Sequence, residues 1–80
     1  MRFLRGDRVR QAVAGSTHVE WIDWDPGSRV LAVSYRGGRV YWYEGVEYDT
    51  WVQLVRAPSK GSFLRREIQP RHRLLAEGAA

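Results

Sequence analysis

The chain has no cysteine, which excludes disulfides, thiolate metal sites and a cysteine nucleophile. It has no asparagine, and a single lysine, Lys60, beside twelve arginines. Arginine carries a planar fork that pairs bidentately with phosphate and stacks on bases, so a basic surface built from it suits nucleic acid better than one built from lysine. Histidine is scarce too. His18 and His72 have no second imidazole or carboxylate at ligand spacing, so no metal site is expected. The G-x-x-x-x-G-K-[ST] phosphate loop is missing, no nucleophile elbow surrounds a serine, and no cofactor is expected. Glu67, Arg71 and His72 are the material of a metal-free acid–base set, but such sets arise by chance in basic segments, and the expectation is a non-catalytic protein. No run approaches the roughly 18 apolar residues of a membrane span. The basic start Met1-Arg2-Phe3-Leu4-Arg5 lacks the apolar stretch of a signal peptide behind it. A cytoplasmic protein without a membrane partner is expected.

What the chain does have is aromatic side chains and an uneven charge. Eighty residues make one domain, and a domain of this size buries only about 60% of the surface its unfolded chain exposes. Four Trp, four Tyr and two Phe compensate, because each buried ring removes roughly 150–250 Å² from water. In residues 1–54, seven arginines and seven acids cancel. Residues 55–80 hold Arg56, Lys60, Arg65, Arg66, Arg71 and Arg73 against Glu67 and Glu77, which supplies the whole net charge of +4. A basic segment joined to a neutral aromatic body is the pattern of a protein that meets polyanions.

Residues 1–15 show no clean period and read as a basic N-terminal extension, an arm or an added edge strand ordered near Val13. Val19 to Trp24 reads as a strand, with Glu20, Ile22 and Trp24 on one face and Val19, Trp21 and Asp23 on the other. Asp25-Pro26-Gly27-Ser28 is a turn, with glycine expected at positive φ. Val30 to Tyr35 and Val40 to Tyr43 are two more strands around the Gly37-Gly38 hairpin. The period then becomes helical: Tyr48, Trp51, Val52 and Val55 recur at i, i+3, i+4, i+7, and Pro58 ends that helix. Ser59 caps a second helix through about Ile68, with Phe63, Leu64 and Ile68 inward. Residues 74–80 read as a disordered tail. The fold class is therefore α+β: a three-stranded antiparallel β-meander packed on one face by two C-terminal helices. Trp21, Val40 and Trp42 are left on the opposite face, next to Arg39.

Several of these segments together resemble a known family. Ser16-Thr17-His18-Val19, Trp24-Asp25, Gly38-Arg39-Val40-Tyr41-Trp42-Tyr43, Val46, Ala57-Pro58-Ser59-Lys60-Gly61-Ser62-Phe63 and Ile68 are similar to the KTSC domain over residues 16–73. That domain is found alone in bacterial and phage proteins and at the C-terminus of some lysyl-tRNA synthetases. Its Tyr-x-Tyr is matched by Tyr41 and Tyr43, and its Ser-Lys-Gly-like element by Ser59, Lys60 and Gly61. The family often has proline at the first helix start, where this chain has Glu47, and asparagine between the Phe and the Ile, where it has Arg65 and Arg66. The synthetase context implies an RNA-binding role.

Lys60, Arg65, Arg66, Arg71 and Arg73 are the candidate phosphate contacts, and Arg39, beside Trp21 and Trp42, is a further nucleic-acid-binding candidate; the alternative for the cationic segment is a solvated charged face. Trp21 and Trp42 are candidates for stacking bases, for a dimer interface or protein partner, or for cover by residues 1–15. Tyr41 and Tyr43 are either ligand contacts or cross-strand packing. The expected partner is shaped or single-stranded RNA. The alternative is a protein-interaction module, possibly phage-encoded, that binds and modulates a host enzyme; a homodimer through the open sheet face is compatible with either.

Overall fold

The computed structural model describes residues 9–79; the first eight residues of the basic extension, Arg2, Arg5 and Arg8 among them, and Ala80 lie outside them. Five antiparallel strands form one sheet: β1 (Val9–Ala12), β2 (Val19–Asp25), β3 (Val30–Tyr35), β4 (Arg39–Tyr43) and β5 (Leu74–Ala79). Their order in space is their order in sequence. Between β4 and β5 run α1 (Tyr48–Arg56) and α2 (Lys60–Phe63), and α2 widens into a π-helical turn (Leu64–Ile68). The α+β expectation holds, but the sheet has five strands rather than three. Residues 9–12 of the extension add an edge strand against β2. The segment expected to be a disordered tail is instead β5, paired with β4 from Leu74↔Tyr43 to Arg39↔Ala79. Its sequence, Leu-Leu-Ala-Glu-Gly-Ala, has little strand propensity; the unpaired ladder of β4 supplies what local preference does not.

The core lies between one face of the sheet and the helical layer. Ile22, Trp24, Leu31, Val33 and Tyr43 from the strands meet Trp51, Leu54, Phe63, Leu64 and Ile68 from the helices. Trp24 stacks on Trp51 with centroids 6.0 Å apart, and its indole N–H donates to the Val46 carbonyl at 2.8 Å. A register shift between Val19 and Trp21 turns Val19 onto the core face, where it is fully buried. Strict alternation had put it on the other face; one extra residue reverses that side. In α1 the inward stripe is Trp51 and Leu54, while Tyr48, the first residue of the helical period, is 62% exposed.

The turns also differ in detail. Positive φ in the β2–β3 connection falls at Arg29, not at Gly27. The Asp25 carboxylate accepts from the Gly27 N–H at 3.0 Å and from the Ser28 hydroxyl at 3.0 Å, and the turn closes over five residues, with the Arg29 N–H donating to the Asp25 carbonyl at 2.6 Å. Gly37 and Gly38 both adopt positive φ and close the β3–β4 hairpin as expected.

On the other face of the sheet, neighbouring positions align Trp21, Ser34, Val40 and Gly78 in one row and Asp23, Ala32, Trp42 and Ala76 in the next. Trp21 and Trp42 are half-buried rather than open, and the Arg10 guanidinium lies 3.7 Å from the Trp21 ring centroid while pairing with Asp23 at 3.2 Å. Arg39 is not on this face. It alternates with Val40 and Trp42 and so shares its side with Tyr41 and Tyr43.

Candidate functional site

The loop between β1 and β2 is built by Ser16, whose hydroxyl accepts from the backbone N–H of His18 at 3.2 Å and of Val19 at 2.9 Å. Arg36, from the β3–β4 hairpin, donates from Nε to the Ser16 carbonyl at 3.0 Å and fixes that loop from the side. Facing it is the start of α2. Ser59 is extended and its hydroxyl accepts from the Ser62 N–H at 3.2 Å, the cap expected from the sequence. Between the two segments lies a cleft of about 350 Å³, at the small end of the roughly 300–1,000 Å³ range of ligand sites. Its walls carry the hydroxyls of Ser16, Thr17, Ser59 and Ser62, together with His18, Lys60 and Arg65. No acidic side chain is among its lining residues.

The cleft does not end at Arg65. His18, Gly61 and Arg65 also border a depression of about 290 Å³ that adds Tyr35 and Gln69. Tyr35 and Gln69 in turn border a third, of about 260 Å³, that adds Arg39, Tyr41 and Tyr43. One continuous strip therefore follows the seam between the sheet and the helical layer, and its character passes from hydroxyl and cation to aromatic. The rings of Tyr35 and Tyr41 meet edge to face at 5.3 Å. Burial pushes the Tyr35 hydroxyl above its usual pKa, while its hydrogen bond with Gln69 and the charge of Arg65 act the other way. Burial, reinforced by Tyr35, Tyr41 and Glu77, pushes Tyr43 up to about 12. Both phenols are neutral at pH 7, hydrogen-bonding groups rather than charges.

Gln69 owes its position to the π-helical turn. Its backbone N–H reaches the Leu64 carbonyl at 2.9 Å, one residue further back than in an α-helix. π-turns are frequent at functional positions, and here the extra residue falls between Arg65 and Gln69, the two helical side chains of the strip.

The strip gathers only some of the cations expected to work together. Lys60 is half-buried and donates to the carbonyls of Val55 at 2.9 Å and Ala57 at 2.6 Å. It closes the C-terminus of α1, using two of the three donors of an ammonium. Arg65 is exposed; its guanidinium lies near Ser62 Oγ at 3.5 Å, and among the described residues it meets no carboxylate. Arg66 and Arg71 flank Glu67 at 4.0 and 3.5 Å. After the π-turn the chain carries Arg73 to the other end of β4, where its carbonyl accepts from the Glu44 N–H at 3.0 Å. Arg39 pairs with Glu77. Trp21 and Trp42 lie on the far face of the sheet, away from the strip. Tyr41, Tyr43, Ser59 and Gly61, the residues that carried the family resemblance, all line it.

Sequence reasoning did not single out His18, Tyr35 or Gln69 as site residues. His18 and Tyr35 come together because β2 and β3 pair at Val19↔Tyr35, which the adjoining hairpin foreshadows. Gln69 had no sequence signal at all. His72, weighed as part of an acid–base set with Glu67 and Arg71, has its Nδ1 3.1 Å from the Glu44 carbonyl. Among the described residues no group of acids and histidines is arranged to hold a metal ion, and no helix is long and apolar enough to cross a membrane.

The KTSC domain model matches residues 15–72 of the chain, the span that holds the polar and aromatic residues of the strip. A protein of Tsukamurella paurometabola is 33% identical over 61 residues, covering 76% of this chain and 91% of that protein. The crystal structure of a KTSC domain protein from Yersinia pestis is similar with a TM-score of 0.76 at 27% identity, over 91% of this chain and 97% of that one.

Proposed function

The chain belongs to the KTSC domain family, and within that family we propose that it is a small non-catalytic module that binds single-stranded or shaped RNA. The observation that carries the proposal is the cleft between the β1–β2 loop and the start of α2. It brings Lys60, Arg65 and four hydroxyls together without a single acid among its lining residues, a surface chemistry complementary to phosphate oxygens. The aromatic end of the same strip supports RNA over a simple anion, since RNA offers unstacked bases to tyrosine and histidine. Among the described residues the helices are short and packed against the sheet, which speaks against reading of a DNA groove.

The test is a fluorescence-anisotropy titration with mixed-sequence single-stranded RNA over a series of salt concentrations. A strip that meets about two or three phosphates gives a slope of log K on log salt of about −1.4 to −2.1. Arg65→Ala lowers affinity and flattens the slope by about 0.7. Binding that ignores both salt and Arg65 counts against the proposal.

A protein-interaction module is the second reading. Its specific support is on the edge strand β5, where Leu74 and Leu75 are 42% and 45% exposed, an apolar step of the kind that partners cover. A defined protein retained from nuclease-treated lysate by the native chain, and lost with Leu74→Ser/Leu75→Ser, alongside no RNA affinity, selects this reading.

A further inference from the structure

The three depressions differ in what they can hold, and they occur in a fixed order. Phosphate oxygens fit the first, with its cations and hydroxyls. The middle one is narrow in chemistry: His18, Gly61 and Arg65 on one side, Tyr35 and Gln69 on the other. The last is walled by Tyr35, Tyr41 and Tyr43, with Arg39 at its rim. A planar heterocycle fits there, because tyrosine offers π-faces to stack on and the Gln69 amide offers both a donor and an acceptor to a base edge.

Gly61 separates the two ends, and its backbone does not require glycine. Its φ lies outside the left-handed region, and a Cβ built there would meet nothing nearer than Arg65 Nη1 at 3.9 Å. The missing side chain instead leaves the passage open where the first depression joins the second.

We propose that the strip is a one-nucleotide register: the phosphate in the cleft beside Arg65, the ribose passing over Gly61, and the base against Tyr35 and Tyr41 with its edge on Gln69. The proposal rests on the RNA reading above and deepens it by naming the unit recognised. The base is bound at the tyrosine end of the seam, and not on Trp21 or Trp42.

The experiment compares a labelled five-nucleotide RNA with a ribose-phosphate strand of the same length that lacks bases, both titrated against the native chain. The expected result is binding at least about tenfold tighter for the RNA, the scale of one stacked base. Gln69→Ala and Tyr41→Ala should each shrink that ratio and leave affinity for the abasic strand unchanged. Gln69→Ala is the decisive variant, because the side chain is exposed and its loss leaves the core intact; thermal melts confirm folding of both. Gly61→Val should weaken binding of both strands. Equal affinity for the two strands, or a ratio that Gln69→Ala and Tyr41→Ala leave intact, overturns the base subsite while RNA binding through phosphate stands. No affinity for either strand overturns both.

Discussion

Lys60 opens α2 and Arg65 lies in the π-helical turn that continues it, yet their charges do different things. The Lys60 ammonium meets the last carbonyls of α1, where a cation is stabilising both as a donor and against the helix dipole. The Arg65 guanidinium stands beside Gly61 in the lining of the cleft. Lys60→Met, which keeps the alkyl stem and removes the donor, is expected to lower unfolding free energy by about 1–2 kcal/mol in a urea titration. Arg65→Ala is expected to change it by less than about 0.5 kcal/mol while lowering RNA affinity. A reversal of these two outcomes contradicts the assignment.

Tyr43 gives a second prediction at this scale. Its ordinary value is 10.0, and the folded chain raises it to about 12. Between those values the unfolded chain has released the phenolic proton and the folded chain still holds it. Stability is therefore at its full value below about pH 10 and falls as pH rises toward 12. An absorbance titration of the tyrosinates, run against the same titration in denaturant, is expected to show late-ionising phenols that Tyr43→Phe reduces by one.

The elements were legible in the sequence to the extent that their own residues determined them. β2, β3, β4 and both helices follow from alternation, the Gly37-Gly38 turn, Pro58 and the Ser59 cap. β5 was not legible as a strand, and β1 only as one of two readings beside an arm, because what makes them strands is the pairing capacity of β4 and β2 rather than any pattern of their own. The side on which Val19 falls was hidden for a similar reason: a bulge is a property of two strands in register. The distinction can be tested on β5. A chain that ends at Arg73 uncovers the β4 ladder and is expected to lose at least about 2 kcal/mol of stability with its cooperative melt shifted downward; a tail without structure would leave the melt unchanged.

For the whole molecule, the strand directions separate the charges. Asp25, Glu44, Glu47 and Asp49 cluster toward the β2–β3 turn, the end of β4 and the start of α1, whereas His18, Arg36, Lys60 and Arg65 gather at the opposite end, around the strip. Composition gave the sign of the charge and located its excess in the C-terminal segment. It did not reveal that the chain returns Arg71 and Arg73 toward the acids, leaving Arg65 as the exposed cation of that segment at the cleft. The candidate site was legible as two separate motifs, Tyr41-x-Tyr43 and Ser59-Lys60-Gly61, but not as one surface, since only the packing of the helical layer on the sheet joins them.

A sheet whose strands lie side by side in the order of synthesis asks little of the chain while it searches for its native state. Each hairpin closes between segments that are already neighbours, and only β5 must wait for the helical layer before it finds its partner. Loop-closure entropy is then small at every step but the last. In a stopped-flow experiment the refolding of tryptophan fluorescence is expected within about a second, with the truncated chain ending at Arg73 collapsing at nearly the same rate and unfolding faster, because the final strand adds to the lifetime of the folded state rather than to the speed of reaching it.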